Sequence, residues 1–160
     1  MTKRANAVLL RRGLLLFWAV WLTVVLATNV GDALKELALL DPGWRFASGN
    51  YGFIAATTAR YGVPAAVNAV LFLGVILWQG VAAGLFWRAV GGGCRYAAFT
   101  SSLMLWAAFA VADELFIAYP LEGTHLRLFI AQLVTLLVIE QLSCGADSPD
   151  AGARPRPPSV

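Results

Sequence analysis

Four long apolar runs, set apart by short polar, proline or glycine breaks, dominate the pattern of positions along this chain. The first covers about residues 13–30, from Gly13 to Val30, and carries no charge. The second covers about 64–87 and opens on Pro64, which suits the first turn of a helix because its missing N–H is no loss there. The third covers about 96–119 and is stopped by Pro120, and the fourth covers about 126–142. Each run approaches the roughly 20 apolar residues needed to cross a hydrocarbon core. None shows the period-two alternation of a barrel strand, and backbone groups in lipid must be satisfied internally, so all four are read as helices. The pattern predicts an all-α fold, an integral membrane four-helix bundle forming one domain over residues 1–142.

The connections carry further pattern. Residues 31–63 form a long outer loop. Ala33, Leu34, Leu37, Ala38 and Leu40 recur in it at helical spacing, Asp41-Pro42-Gly43 breaks that stripe, and Ser48 is placed to cap a second short helix through Tyr51, Ile54 and Thr58. The loop is expected to hold short interfacial helices, acting either as a lid over the outer end or as a plain cover. Gly91-Gly92-Gly93 makes a tight inner turn, so the second and third spans are antiparallel neighbours. Gly80 and Gly84 form a GxxxG step, expected to pack against the third span. The stretch 143–160, rich in Pro, Gly, Ala and Ser, is expected to be a disordered cytoplasmic tail.

Composition agrees with the pattern. The chain is 59% hydrophobic and 13% charged, whereas average soluble domains are about 45–50% apolar and about 25% charged. That balance excludes a disordered protein, a nucleic-acid module and a disulfide-stapled mini-domain. The net charge of +3 resolves into two sides once the spans are placed. Lys3, Arg4, Arg11, Arg12, Arg88, Arg95, Arg154 and Arg156 fall on one side, and Lys35, Arg45, Arg60 and Arg127 on the other. The excess of basic residues marks the first side as cytoplasmic. A multi-pass protein of the cell membrane follows, with both termini cytoplasmic and the first span retained rather than cleaved as a signal peptide. Cys94 and Cys144 are read as free thiols, since no Cys-x-x-Cys pair is present.

Candidate chemistry lies where polar residues interrupt the apolar runs, because each is costly in a membrane span. Asn29 and Asp32 end the first span, Asn68 begins the second, Asp113 and Glu114 lie near the end of the third, and Glu122, His125 and Arg127 open the fourth, with Gln132 two turns on from His125. The first eight are expected at one outer level, and Gln132 on the His125 face, all facing inward as a polar-lined pocket. Asp113 and Glu114 point about 100° apart, so at least one is expected to hold a specific partner. Arg127 is available to pair with Glu122, Asp113 or Glu114. Glu122-x-x-His125 resembles half of a di-iron ligand set, but a chain with one histidine cannot complete that set within one protomer. His125, Glu122 and Asp113 remain candidates for a single metal ion, with no cofactor as the leading expectation.

The chain carries no Walker, dinucleotide-binding, nucleophile-elbow or zincin motif. Three functions stay open. The first is a structural or accessory membrane subunit, without enzymatic activity, whose polar cluster fixes helix packing. The second is binding or transport of a proton, cation or small polar ligand in the acidic/His pocket. The third is a metal- or quinone-dependent redox subunit. The expected partner is the lipid bilayer, with a homo-oligomer or larger membrane complex possible, and no nucleic acid.

Overall fold

In a computed structural model, which describes residues 3–147, the chain is entirely helical. The elements are α1 (Lys3–Glu36), α2 (Asn50–Ala59), α3 (Ala65–Val90), α4 (Arg95–Leu115) and α5 (Tyr119–Asp147). The first helix and the last three are long and apolar enough to cross a membrane. The end of the tail, residues 148–160, lies outside the described residues, while 143–147 continue α5.

The long helices contact one another in the cyclic order α1, α3, α4, α5, and α2 packs on α1 and α3. Leu15, Trp18, Ala19 and Leu22 of α1 meet Ala82, Ala83, Phe86 and Ala89 of α3, Ala98, Phe99, Leu105 and Trp106 of α4, and Ile139 of α5 in one buried core. The alanines let backbones approach closely, and Phe86 meets Phe99 edge to face with ring centroids 4.9 Å apart. Tryptophan N–H groups tie helix pairs together: Trp18 donates to Thr135, Trp78 to the Ser101 carbonyl and Trp87 to Thr23. Gly80 faces Leu26 of α1 rather than α4, the helix expected to cover it, and Gly84 has open space around it.

Four helices end in the same way. The N–H of the residue beyond each end reaches back five positions: Leu39 to Leu34, Val63 to Thr58, Gly93 to Arg88 and Ala118 to Asp113. The residue before it bonds three positions back, and this pair of bonds is the Schellman closure. The closure needs a left-handed residue, supplied by Gly62 and Gly92 at α2 and α3 but by Ala38 (φ 55°) and Ile117 (φ 56°) at α1 and α4. Two boundaries therefore differ from the sequence reading. The Ala33–Leu37 stripe is the end of α1, not a separate short helix, because nothing at Gly31 breaks the hydrogen-bond ladder. The third span ends at Leu115 by its own closure, and Pro120 sits inside the first turn of α5, where its missing N–H is tolerated.

After α1 the chain doubles back. Residues 37–49 descend alongside α1 until the Ser48 N–H donates to the Thr28 carbonyl at 3.1 Å. Eight residues of α1 separate Thr28 from Glu36, about 12 Å at 1.5 Å per residue. Gly31 permits this close pass, since a Cβ there would lie 2.5 Å from the Phe46 carbonyl oxygen. α2 then starts deep and runs back along α3, with the Tyr51 ring 5.7 Å from Phe72 and Thr58 bonded to Asn68.

Candidate functional site

The polar residues of the apolar runs fall into distinct groups rather than one level. Asp32 and Ser48 fasten the start of α2. One Asp32 oxygen accepts from the Ser48 hydroxyl at 3.1 Å and from the Tyr51 N–H at 2.8 Å, while the Ser48 hydroxyl oxygen accepts from the Asn50 N–H. A carboxylate at a helix N-terminus also meets the favourable end of the helix dipole. Ser48 thus does take part in starting this helix, although Gly49 is the residue at the cap position. At the far end of α2 the buried Thr58 hydroxyl lies 2.9 Å from the Asn68 side-chain oxygen.

Beside the start of α2, three carboxamides form a relay. Asn50 donates to Asn29 at 2.8 Å, and Asn29 donates to Gln79 at 2.7 Å. Asn29 and Gln79 are buried, so the pair satisfies groups that would be costly alone in an apolar interior.

Asp113 and His125 form the second focus. The α4–α5 turn is short, which makes the helices antiparallel and brings the last turn of α4 against the start of α5. Asp113 Oδ2 lies 2.5 Å from His125 Nδ1. An ionised carboxylate can only accept, so with Asp113 charged the imidazole carries its proton on Nδ1 and presents Nε2 away from the pair. A carboxylate near a helix C-terminus opposes the dipole, and the imidazole offsets that cost. The His125 ring stacks over Phe109 at 4.8 Å and Trp106 at 6.1 Å, both on the Asp113 face of α4.

A cavity of about 450 Å³ joins the two foci. α1 contributes Trp21, Val25 and Asn29; α2 contributes Asn50, Phe53, Ile54, Thr57 and Thr58; α3 contributes Leu71, Phe72, Val75, Trp78 and Gln79. α4 adds the face from Leu105 to Asp113, and α5 adds Leu121, Thr124, His125 and Leu128. The wall is mostly apolar, which corrects the expected polar lining. Most polar side chains on the inward stripes spend their hydrogen bonds on one another and on α2, leaving hydrocarbon and aromatic rings to face the space.

Of the nine sequence candidates, Asn29, Asp113 and His125 line the cavity. Asp32 and Asn68 hold α2 from outside it, and Gln132 is buried away from it. Glu114 is exposed, about 100° around α4 from the buried Asp113, and Glu122 is half-buried. Arg127 is exposed and makes no ion pair with any described residue, so the expected Arg127 network is not formed. It lies two residues beyond His125 on α5, turned away from the face that meets Asp113. Among the described residues, no three His, Cys, Asp or Glu side chains converge as a metal site would require. The sequence reading did not anticipate Asn50, the Asn29–Gln79 pairing, or the ion pair at the other end of the helices. There Arg95 grips Glu140 at 2.8 and 3.2 Å, and the Tyr96 hydroxyl donates to the same carboxylate at 2.8 Å. Cys94 is exposed beside that pair, and the Cys144 side chain lies outside the described residues. No family model, curated protein or solved structure matches this chain.

Proposed function

We propose that the protein is a multi-pass membrane protein whose four long helices cross the bilayer as a bundle and bind a small, mostly apolar ligand bearing a polar group. In this reading both termini and the α3–α4 turn face the cytoplasm, and α2 packs into the outer part of the bundle. Irregular backbone at membrane depth is tolerated where protein buries it or where it lines a cavity; α2 lines the cavity through Asn50, Phe53, Ile54, Thr57 and Thr58, while residues 37–49 are mostly exposed. Large apolar side chains such as Val70, Leu77, Val111 and Leu137 are more than half exposed, which suits contact with lipid tails.

The observation that carries the binding reading is the cavity itself. Its volume of about 450 Å³ falls in the range of small-molecule sites, about 300–1,000 Å³, and such sites pair apolar walls with a few convergent polar groups. Here those groups are the Gln79–Asn29–Asn50 relay and the Asp113–His125 pair. A ligand with a hydrocarbon or ring body would lie against Trp21, Phe72 and Trp106, and its polar group would meet one of the two foci. A quinone or other lipid-soluble carbonyl compound has this form; a bare cation or proton has no use for the apolar wall.

The structural-subunit reading is favoured by a separate observation: Asp32, Asn68 and the carboxamides bond mainly to α2 and to each other. The two roles separate by experiment. Protein purified from its native membrane should carry one amphipathic species enriched over bulk lipid, identified by extraction and mass spectrometry. Asp113→Asn and His125→Ala should deplete it while leaving the helices folded. Absence of any enriched species in the wild type would favour the purely structural role.

A further inference from the structure

We propose that Ser102, Trp106 and Gln132 form a second, closed site that binds water beneath the cavity. Their side chains are the described polar groups that are buried yet have no hydrogen-bond partner in the protein: the Ser102 hydroxyl, the Trp106 indole N–H and both amide atoms of Gln132. Ser102 and Gln132 are 0% exposed and Trp106 3%. Native interiors leave few such groups unpaired, and each costs about 1–3 kcal/mol if it stays so.

Two independent registers bring the three together. Ser102 and Trp106 are four apart on α4 and so share a face. On α5, Arg95–Glu140 and Asp113–His125 fix the antiparallel register with α4. Counting eight residues from Glu140, or seven from His125, reaches Gln132, and the same counts along α4 from Arg95 and Asp113 reach residues 103 and 106. From α1, the Trp18–Thr135 bond places Gln132, three residues before Thr135, level with Trp21, and the Trp21 ring touches Trp106 at 5.7 Å. Gln132 therefore sits opposite the turn of α4 from residue 103 to 106, and the α1 route places it level with Trp106.

The donor set selects the ligand. The indole and amide N–H groups repel a metal cation, and no carboxylate is present to hold one. The amide oxygen repels an anion, and no cationic side chain joins the set. A neutral molecule that both donates and accepts fits all four atoms, and buried water makes about three such bonds to groups left unpaired by the protein. The site is closed at the next layer by Ala98, Phe99 and Ile139, all fully buried and apolar, so the water ends there instead of continuing toward Glu140. On the other side the Trp106 ring separates it from the cavity, presenting its face to His125 and its N–H to the water.

The test is water-edited solid-state NMR of the full chain in lipid bilayers with 15N-labelled indoles, the Trp106 signal being assigned with Trp106→Phe. The internal dry reference is Trp18, equally buried but bonded to Thr135. Transfer from water to the Trp106 N–H should be clearly faster than to Trp18, and should fall to the Trp18 level in Ser102→Ala/Gln132→Leu. Gln132→Leu alone should lower the unfolding temperature, because it takes a partner from a bound water. Transfer to wild-type Trp106 as slow as to Trp18 overturns the proposal, and so does a raised unfolding temperature, which is the result for an amide with no partner at all. The wild-type spectrum decides the matter if a variant fails to fold.

Discussion

At the scale of single residues, the polar interruptions of the apolar runs divide by burial: Asn29, Asp32, Asn68 and Asp113 are buried and hydrogen-bonded, whereas Glu114 and Arg127 are exposed. Asp113 shows how far the sequence reaches. Its helical face was readable from spacing, and so was the divergence of Glu114, but the identity of the partner needed the α4–α5 register. Gln79 shows where it stops: its partner Asn29 is fifty residues away, and no local pattern connects them. Ile117 was unreadable for another reason. Left-handed closures are normally announced by glycine, and a β-branched residue at φ 56° gives no such signal. That conformation costs an L-residue about 1–2 kcal/mol, while the half-exposed side chain has little burial to lose. Ile117→Gly should therefore stabilise the protein by about 1 kcal/mol, read as a raised midpoint of thermal unfolding in detergent. An unchanged or lowered midpoint would mean the Ile117 side chain contributes more than its exposure implies.

At the scale of elements, hydrophobic runs located the four long helices but not their ends. Hydropathy reports where lipid-compatible residues stop, whereas helices stop where a closure satisfies the last carbonyls. α1 accordingly continues six residues past Val30. The path of residues 37–49 was equally hidden, since apolar periodicity does not say whether a segment lies over a helix end or folds back beside it. Asp32 is the fastener of that fold-back. Asp32→Ala removes a charged acceptor from Ser48 and Tyr51, a loss of about 1.5–3 kcal/mol for a hydrogen bond to a charged group. Hydrogen exchange should then rise across α2 and stay low in α3; equal rises in both would place the role of Asp32 in global stability instead. At the opposite end, Arg95→Gln and Glu140→Gln should each destabilise by about 0.5–1 kcal/mol, because the pair is partly open to solvent, and the double variant should cost less than the two together. Additive losses in thermal unfolding would show that the close geometry carries no coupling.

At the scale of the whole molecule, the two charge-bearing ends remain the clearest orientation signal. With Cys144→Ser in place, a membrane-impermeant maleimide should reach Cys94 from the cytoplasmic side only, in inside-out vesicles but not in sealed right-side-out ones. The reverse pattern would invert the proposed topology. In the proposed topology the cavity lies toward the outer side, walled by α2 and lined at its inner end by Trp21 and Trp106. The central claim, that this space holds a ligand, is tested most directly by native mass spectrometry of protein released gently from its own membrane. Wild type should carry a discrete small-molecule adduct, and Ala112→Trp, which puts an indole into the cavity wall, should fly bare while remaining folded. A bare wild type, or an adduct that persists in Ala112→Trp, would contradict the account.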